Sequence, residues 1–367
     1  MARVYFTDLR TNPKRSLLDK IEDLLDRVKT KERIKKSDLT AIKLHFGEKG
    51  NIAYIRPVFI RKIADYIKKL GARPFITDTN TLYSGSRSDS VNHINTAVYN
   101  GFDYASTGCP IIIADGIRGS NSVKVSVDGE ILKDVSIAGD IVNADSLVVV
   151  THFKGHELSG FGGALKNIGM GCASREGKLI QHSNVAPKVN GENCKGCGLC
   201  TGYCSVGAIS IMEKKAFIDP ERCIGCGECI IICPFKAIEI QWNEPQDVFQ
   251  KKMVEHAAGV LKGKEKRTIF INFLTQISPA CDCYPNNDSP IVRDIGIVAS
   301  IDPVSIDAAS CDLVNNEESL PNTAIKNMRK RGEDKWKALY PTIEWQIQLE
   351  HAEKMGLGER MYHLIKV

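Results

Sequence analysis

The chain has 367 residues, of which 43% are hydrophobic and 25% are charged, and its net charge at pH 7 is +5. This length allows more than one core, and the composition is that of a soluble globular protein. The mild positive charge comes without a basic block, so the sequence does not indicate a nucleic-acid-binding protein. No run of about 18 apolar residues occurs, and the first residues lack an apolar signal segment, so we expect a cytoplasmic protein that does not bind membranes.

The N-terminal half alternates between helical and extended patterns. Apolar residues recur at helical spacing in the predicted helices 16–28, 57–70 and 91–100. Strands are predicted at 41–46, 74–79, 111–114 and 147–153, with a hairpin of 123–127 and 131–135 around Asp128-Gly129. Strands that alternate with helices indicate an α/β fold.

The same alternation resumes after residue 243. Strands are predicted at 268–274 and 294–300, a helix at 303–314, and a long amphipathic helix at 341–356. Because this C-terminal part holds few strands, it would form a poor core alone. We therefore predict one discontinuous α/β domain, built from residues 1–187 and 244–367 and interrupted by an inserted α+β domain at 188–243.

Residues 188–243, the cysteine segment, contain two similar cysteine runs. These runs read Cys194-x2-Cys197-x2-Cys200-x3-Cys204 and Cys223-x2-Cys226-x2-Cys229-x3-Cys233-Pro234. The similarity extends further, since Ala208-Ile209 recurs as Ala237-Ile238. This spacing is typical of bacterial two-cluster ferredoxins, in which three close thiolates hold one [4Fe–4S] cluster and the fourth ligates the other.

The doubled run therefore predicts two [4Fe–4S] clusters in a ferredoxin-like domain. The expected ligands are Cys194, Cys197, Cys200 and Cys233 for cluster 1, and Cys223, Cys226, Cys229 and Cys204 for cluster 2. The alternative is structural zinc, which usually takes four ligands as two separated pairs. Ser205 replaces the proline of the second run, but neither residue is a ligand. Cluster thiolates need a reducing compartment.

Polar residues follow the ends of two predicted strands. His45 lies at the end of the strand at 41–46, and His152 lies at the end of the strand at 147–153, with Lys154 and His156 just after it. Because ligands bind beyond the carboxyl ends of strands in open α/β sheets, these residues are candidates for one polar pocket. The alternative is that each histidine is an ordinary, partly buried residue.

A glycine-rich string follows from Ser159 to Cys172 and contains Lys166. Its backbone N–H groups could approach an anion, and Lys166 would add positive charge. The string is not a P-loop, because no Gly-Lys-Ser/Thr follows at the required spacing. The alternative is a tight turn with close helix packing. With this string, the catalytic candidates are His152, Lys154, His156 and Lys166.

A third motif is Cys281-Asp282-Cys283. Residues two apart on an extended segment point the same way, so both sulfurs could reach one metal. Cys172 and His182 are candidates to complete an additional site for zinc or a third iron–sulfur centre. The alternative is that these are buried free cysteines, as we expect for Cys109 and Cys311.

The strings THFKGHELSGFGGALKNIGMGCASREGK, CDCYP and IGIVASIDPVSIDAAS flank the cysteine segment. Together they resemble the family called domain of unknown function 362 (DUF362), whose iron–sulfur members carry a ferredoxin-type insert of this kind. The resemblance covers most of the chain and implies the α/β fold and the cluster domain. It implies no reaction, because the family is named for lacking one.

The function predicted from these features is electron transfer between two low-potential clusters and a polar pocket that holds a small anionic ligand. Such a protein would be an oxidoreductase, or a component of one with a redox partner protein. The alternative is a non-catalytic electron carrier, or a cluster-handling protein whose α/β domain docks a partner. A polar pocket near a cluster would favour the first function, and a closed apolar core would favour the second. A third hypothesis is an enzyme whose clusters are only structural.

Overall fold

The computed structural model describes residues 1–367, with sixteen strands and fourteen helices. The strands are β1 (Ala2–Asp8), β2 (Leu39–Lys43), β3 (Arg73–Asp78), β4 (Ile111–Ile113), β5 (Ser122–Ser126), β6 (Asp134–Ala138), β7 (Ser146–His152), β8 (Lys154–His156), β9 (Gly160–Gly162), β10 (Lys188–Val189), β11 (Ile209–Met212), β12 (Lys215–Ile218), β13 (Ile238–Glu239), β14 (Thr268–Leu274), β15 (Gly296–Ser300) and β16 (Tyr362–Lys366). The helices are α1 (Leu17–Arg27), α2 (Thr30–Arg33), α3 (Pro57–Lys69), α4 (Ser90–Tyr99), α5 (Tyr104–Thr107), α6 (Gly139–Asn143), α7 (Ala164–Gly169), α8 (Arg175–His182), α9 (Leu199–Gly202), α10 (Glu228–Ile232), α11 (Gln246–Leu261), α12 (Pro303–Asn315), α13 (Lys335–Leu339) and α14 (Ile347–Lys354). No helix is both long and apolar enough to cross a membrane.

Eight strands form one mixed sheet in the order β16-β1-β15-β14-β7-β2-β3-β4. The strands from β14 to β4 in this order are parallel to one another. Strand β15 runs antiparallel to both of its neighbours, and β16 runs parallel to β1 at the edge. Because these parallel strands alternate with helices along the chain, the prediction of an α/β fold is confirmed. Strands from before and after the cysteine segment share this sheet.

The centre of the sheet is covered on both faces. All seven residues of β7 and of β14 are buried, as expected for strands of a parallel sheet with helices on both sides. Side chains alternate between the faces: Val149 packs in a core of 41 buried residues, whereas Val148 and Val150 pack in a core of 27. The carboxyl end of β7 is thereby fixed between two cores.

Several elements lie where the sequence predicted them. The first helix begins after Ser16, whose side chain forms a capping box with Asp19. Strand β14 covers Thr268–Leu274 as predicted. The edge strand β16, its neighbour β1 and the largely buried helix α11 were not predicted. A helix that is buried on most sides lacks a clear amphipathic period.

Two predicted elements were wrong in detail. The hairpin has no two-residue Asp-Gly turn; its strands pair Ser126 with Asp134 and leave a longer loop. In that loop the carboxylate of Glu255 accepts the N–H groups of Ile131 and Leu132 at 2.9 and 2.7 Å, so these groups do not extend the hairpin. The helix predicted at 341–356 is limited to Ile347–Lys354.

The reason for the shorter helix lies at Trp345. Its indole nitrogen donates to Asp334 at 2.9 Å, and its ring lies 5.8 Å from that of Phe161. These tertiary contacts hold the residues before Ile347 in a non-helical path, although their apolar spacing is helical.

The cysteine segment lies beside the main sheet with a small core of its own. Of the eleven buried residues in this core, only Leu82 and Leu179 come from outside the segment. The chain enters at Lys188–Val189 and leaves at Ile238–Glu239, and these two short strands pair with each other. The segment therefore adds no strand to the eight-stranded sheet.

Candidate functional site

A pocket of about 580 Å³ opens at the carboxyl ends of β2, β3 and β7. The four residues predicted at the strand ends for one polar pocket, His45, His152, Lys154 and His156, all line it, and so does Lys166 of the glycine-rich string. The pocket also receives side chains that the sequence did not single out: Lys43, Asp78, Tyr83, Arg87, Lys178 and Trp242. Strand ends signalled the histidines, but nothing local in the sequence indicated that Arg87 and Lys178 would reach the same place.

His152 lines the pocket, and both nitrogens of its ring lie close to oxygen atoms of the protein. Its Nδ1 lies 2.9 Å from the carboxylate of Asp282, and its Nε2 lies 3.0 and 3.1 Å from the carbonyl oxygens of Thr275 and Gln276. Both ring nitrogens therefore face acceptor oxygens. His152 has a structural partner on each side and presents no free nitrogen to a ligand.

Asp282 is the shared partner of His152 and Lys154. The side chain is fully buried, and Lys154 Nζ lies 3.2 Å from its carboxylate. Burial alone would raise the pKa of Asp282, but the charges and hydrogen bonds of His152 and Lys154 hold it well below the usual value. The carboxylate is therefore ionised and ties the Cys281–Cys283 loop to the end of β7.

His45 and His156 are neutral rings at the pocket wall. Burial and then the nearby cations lower both pKa values well below the usual range. The Nδ1 of His45 accepts the N–H of Gly47 at 2.9 Å, and the Nδ1 of His156 accepts the N–H of Leu158 at 3.3 Å. In each ring the hydrogen must therefore sit on Nε2, which leaves a donor for a ligand.

Lys166 lines the pocket and forms no salt bridge, as is also true of Lys178, whose Nζ donates to the Thr79 hydroxyl and the Asn80 carbonyl oxygen. The Nζ of Lys166 lies 3.7 Å from the sulfur of Cys281. Burial, followed by the charge of Lys154, lowers its pKa to about 8. Near neutral pH the amine can therefore either hold an anion or give up a proton.

The glycine-rich string does not form the predicted anion cradle. The N–H groups of Ala164 and Leu165, at the start of α7, donate to the carboxylate of Asp307 at 2.7 and 2.9 Å. A Cβ at Gly163 would lie 2.3 Å from that same carboxylate. The glycines serve close packing, which was the alternative, and Lys166 supplies the positive charge.

Three other lining residues, Lys43, Asp78 and Arg87, belong to a buried network of charged side chains. Lys43 Nζ lies 2.9 Å from Asp78 and 2.8 Å from the side-chain oxygen of Asn167. Arg87 lies 3.0 Å from Glu48 and 3.7 Å from Asp78. Burial would raise the pKa of Asp78, but Lys43 and its other cationic neighbours lower it. Lys43 and Arg87 are thus held in place by carboxylates.

The balance of charge in the pocket is positive. Five cationic side chains line it, Lys43, Arg87, Lys154, Lys166 and Lys178. The carboxylates are Asp78 and Glu157 in the lining, together with Glu48 and Asp282, which pair with Arg87 and Lys154. Buried cations that exceed their counter-ions attract anions strongly, because little water screens them. The pocket is suited to a small anionic ligand.

Three of the four residues predicted for an additional metal site, His182, Cys281 and Cys283, line the pocket, but they form no group arranged to hold a metal ion. Cys281 and Cys283 are joined in a disulfide. Cys172 is fully buried and does not line the pocket, and burial raises its pKa to about 12. The His182 ring packs against Phe249 and Trp242. Metal binding by the reduced pair stays an untested prediction.

The cysteines of the segment raise one another's pKa values. Burial raises the pKa of Cys200, and the nearby thiolates of Cys197, Cys233 and Cys194 raise it further. Burial raises the pKa of Cys229 to about 12, and the charges of Cys226, Cys223, Cys200 and Cys204 raise it further, so the two runs also influence each other. No group of three or more His, Cys, Asp or Glu side chains is arranged to hold a single metal ion.

The second cysteine run contacts the pocket wall through Leu82. This residue lines the pocket and also belongs to the core of the cysteine segment. A Cβ at Gly227 would lie 3.3 Å from Leu82 and 3.2 Å from Arg175. Arg175 also lies 3.5 Å from Glu228. One leucine side chain therefore separates the pocket from the loop that carries Cys226.

Comparison with known proteins gives a family but no curated relative. No curated protein matches the chain. Among solved structures it is similar to the lactate racemase apoprotein from Thermoanaerobacterium thermosaccharolyticum, with 13% identity and a TM-score of 0.39. The match covers 75% of this chain and 51% of that one, so the chain spans about half the length of that protein. The family model described as "Domain of unknown function (DUF362)" matches residues 40–312. Since this match covers most of its length, the chain belongs to the DUF362 family.

Proposed function

We propose that this protein is an iron–sulfur oxidoreductase, or the electron-transfer component of one, that acts on a small anionic ligand in the pocket. The cysteine segment would be a ferredoxin-like domain that holds two [4Fe–4S] clusters, and these clusters would take up and release single electrons. The observation that carries the proposal is the double contact of Leu82, which touches both the pocket and the core of the cysteine segment.

The effects of the thiols on one another's pKa values support two clusters. The charge of Cys233 is among those that raise the pKa of Cys200 in the first run, and the charge of Cys204 is among those that raise the pKa of Cys226 in the second run. This exchange of the fourth cysteine is the pattern of two-cluster ferredoxins. Because the cluster itself stands between its four thiolates, such ligands lie farther apart than ligands of one ion. The lack of a single-ion site is therefore compatible with clusters.

Hydrogen bonds to sulfur also fit cluster ligation. The N–H of Ala208 donates to Cys204 at 3.1 Å, and the N–H of Ala237 donates to Cys233 at 3.3 Å. These alanines occupy equivalent positions in the two runs, so the local structure is repeated together with the sequence. Such donors stabilise thiolate charge and tune the reduction potential of a bound cluster.

The two runs differ in what surrounds them, which suggests a direction for electron flow. Cys197 is exposed, and a Cβ at Gly198 would meet no atom within 4 Å. The equivalent Gly227 is packed against Leu82 and Arg175. The first run would therefore receive a redox partner protein, and the second run would face the pocket.

The pocket residues would bind the ligand and supply protons. Lys166 has no carboxylate partner and a pKa of about 8, so it can bind an anion and donate a proton near neutral pH. The Nε2–H of His156 adds a neutral donor. His152 would act as a positioning residue that fixes Asp282 and, through it, Lys154.

A carrier without a substrate is the second candidate. A closed apolar core beneath the motifs would favour it, whereas the residues around Lys166 enclose a polar, cation-rich pocket. The thiolates of either function require a reducing compartment such as the cytoplasm.

Metal analysis of anaerobically purified protein tests the cluster part of the proposal. We expect about eight iron and about eight acid-labile sulfide per chain, the content of two [4Fe–4S] clusters. One or two zinc without sulfide would overturn it. For the pocket, we expect a co-purified anion, detected by native mass spectrometry, to be lost in Lys166→Ala and kept in Lys29→Ala, an exposed control. Retention in Lys166→Ala would show that the ligand binds elsewhere.

A further inference from the structure

The disulfide Cys281–Cys283 lies on the wall of the pocket, and neither the cluster ligation nor the anion binding proposed above uses it. Its two residues are separated only by Asp282, and their Cα atoms lie 5.2 Å apart, within the range of ordinary disulfides. A disulfide that closes so small a loop removes little conformational freedom from the unfolded chain. Stabilisation of the fold therefore does not explain its presence.

The surroundings hold the two sulfurs in place whether or not they are bonded. Asp282 is fixed by His152 and Lys154 from the side, and its carbonyl oxygen accepts the N–H of Glu48 at 3.0 Å. The hydroxyl of Tyr83 donates to the carbonyl oxygen of Cys283 at 3.1 Å. After reduction the two sulfurs would remain adjacent, so the bond can form again without a change of fold.

Lys166 favours cleavage of the disulfide with the negative charge on the Cys281 sulfur. Its Nζ lies 3.7 Å from the Cys281 sulfur, so negative charge that develops on this atom meets a buried cation. A thiolate beside a lysine is stabilised and is more reactive than an ordinary buried thiol. The free cysteines Cys109, Cys172 and Cys311 are buried, and none of them lines the pocket.

The pair is also connected to the second cysteine run. Leu82 packs against Gly227 of that run, and the next residue, Tyr83, contacts Cys283. Two consecutive residues thus join the loop of Cys226 to the disulfide. Leu82 is buried and Tyr83 is partly buried.

We propose that Cys281 and Cys283 form a redox-active disulfide that stores two electrons at the pocket wall. In the reductive step the S–S bond breaks, and two S–H bonds form with two protons. Lys166 delivers the proton to Cys281 and is reprotonated from solvent, and solvent supplies the other proton. The two electrons come one at a time from the two reduced [4Fe–4S] clusters, each of which is oxidised by one electron. This electron source rests on the proposed function, whereas the dithiol–disulfide couple does not.

Thiol labelling tests the couple itself. Wild-type protein is equilibrated anaerobically in dithiothreitol buffers of graded potential, alkylated, unfolded and analysed by peptide mass spectrometry. We expect Cys281 and Cys283 to change together from disulfide to two alkylated thiols over one two-electron transition. Cys109 and Cys311 should be thiols at every potential. A pair that is reduced, or oxidised, at every potential overturns the proposal.

Electron counting tests the connection to the clusters. A stepwise reductive titration with titanium(III) citrate is followed by visible absorbance. Wild type should consume two more electrons per chain than Cys281→Ser/Cys283→Ser at equal iron content, with Cys109→Ser as the matched control. Equal consumption would contradict the storage of electrons in the pair. The labelling experiment needs no variant, so it decides the question even if the double variant fails to fold.

The two proposals can fail separately. If iron and sulfide are absent but the pair still exchanges with dithiothreitol, the proposed function fails and the redox-active disulfide stands without its electron source. If the clusters are present and the pair does not titrate, the redox-active disulfide fails and the proposed clusters stand. Zinc bound to wild type and lost in the double variant would identify a metal site and overturn the disulfide role.

Discussion

His152 and Asp282 are 130 residues apart in the chain, yet the ring nitrogen of one lies 2.9 Å from the carboxylate of the other in a fully buried contact. This contact joins the end of β7 to the loop that follows β14. With Lys154 it forms a buried, charged triad beneath the pocket. The stability of this part of the fold and the position of Lys154 therefore depend on one carboxylate.

Replacing that carboxylate should destabilise the protein. Asp282→Asn leaves His152 and Lys154 without their buried counter-charge, and removal of one partner from a buried ion pair typically costs about 3–5 kcal/mol. We expect a decrease of this size in the free energy of unfolding, measured by urea denaturation at pH 7. Asp288→Asn, at an exposed position nearby, is the control. Equal unfolding free energies for the two variants would show that the triad does not stabilise the fold.

The same contact predicts a dependence of stability on pH. The pKa of Asp282 is lower in the folded protein than the value of about 3.9 in the unfolded chain. Its contribution is therefore complete well above pH 4 and is lost as the pH falls below that value. Wild type should lose more stability than Asp282→Asn when unfolding is compared between pH 6 and pH 3. Parallel curves would contradict the ionised carboxylate.

Lys166 should titrate near pH 8. Burial and the charge of Lys154 lower its pKa to about 8, whereas an exposed lysine titrates near about 10.4. Below pH 8 the amine is charged and binds anions, and above it the charge and the binding are lost. Competitive acetylation followed by mass spectrometry measures the deprotonated fraction, with exposed Lys29 as the internal reference. Equal midpoints for the two lysines would refute the assignment.

Gly227 and Gly198 provide a matched pair of substitutions. Both have positive φ, +70° and +77°, so an alanine costs about 1–2 kcal/mol of backbone strain at either position. At Gly227 the added Cβ would also meet Arg175 and Leu82 at 3.2 and 3.3 Å, whereas at Gly198 it meets nothing within 4 Å. Gly227→Ala should therefore loosen the contact between the cysteine segment and the pocket wall.

Hydrogen–deuterium exchange measures that loosening. Amides of residues 79–83 and of α8 should exchange faster in Gly227→Ala than in Gly198→Ala. Similar exchange in the two variants would mean that the contact at Leu82 does not hold the segment in place.

The sequence was informative where local chemistry decides the structure. The apolar runs of β7 and β14 predicted strands, and histidines at strand ends predicted the pocket. It did not indicate the structure where the position or charge of a residue depends on a partner far away in the chain. Nothing near Asp282 indicates that His152 and Lys154 will ionise it, and nothing near Gly163 indicates that Asp307 will take the N–H groups of α7.

The two wrong element predictions, the hairpin turn and the helix at 341–356, also result from contacts with distant residues. Glu255 prevents the tight hairpin turn from a position more than a hundred residues away, and Asp334 fixes Trp345 in a path that is not helical. Arg87 and Lys178 were missed because a basic side chain on a loop or helix carries no sign of its direction. Such residues are found only when the pocket is seen in three dimensions.

The pairing of Lys188–Val189 with Ile238–Glu239 has a consequence for how such a chain can evolve. Because the two junctions lie side by side, a module of another size could be grafted between them, or removed, without shifting any strand of the eight-stranded frame. Under the proposed function, the α/β domain would then gain or lose its electron supply through a single genetic insertion. Family members with and without the cysteine runs would share one pocket and differ only in how electrons reach it.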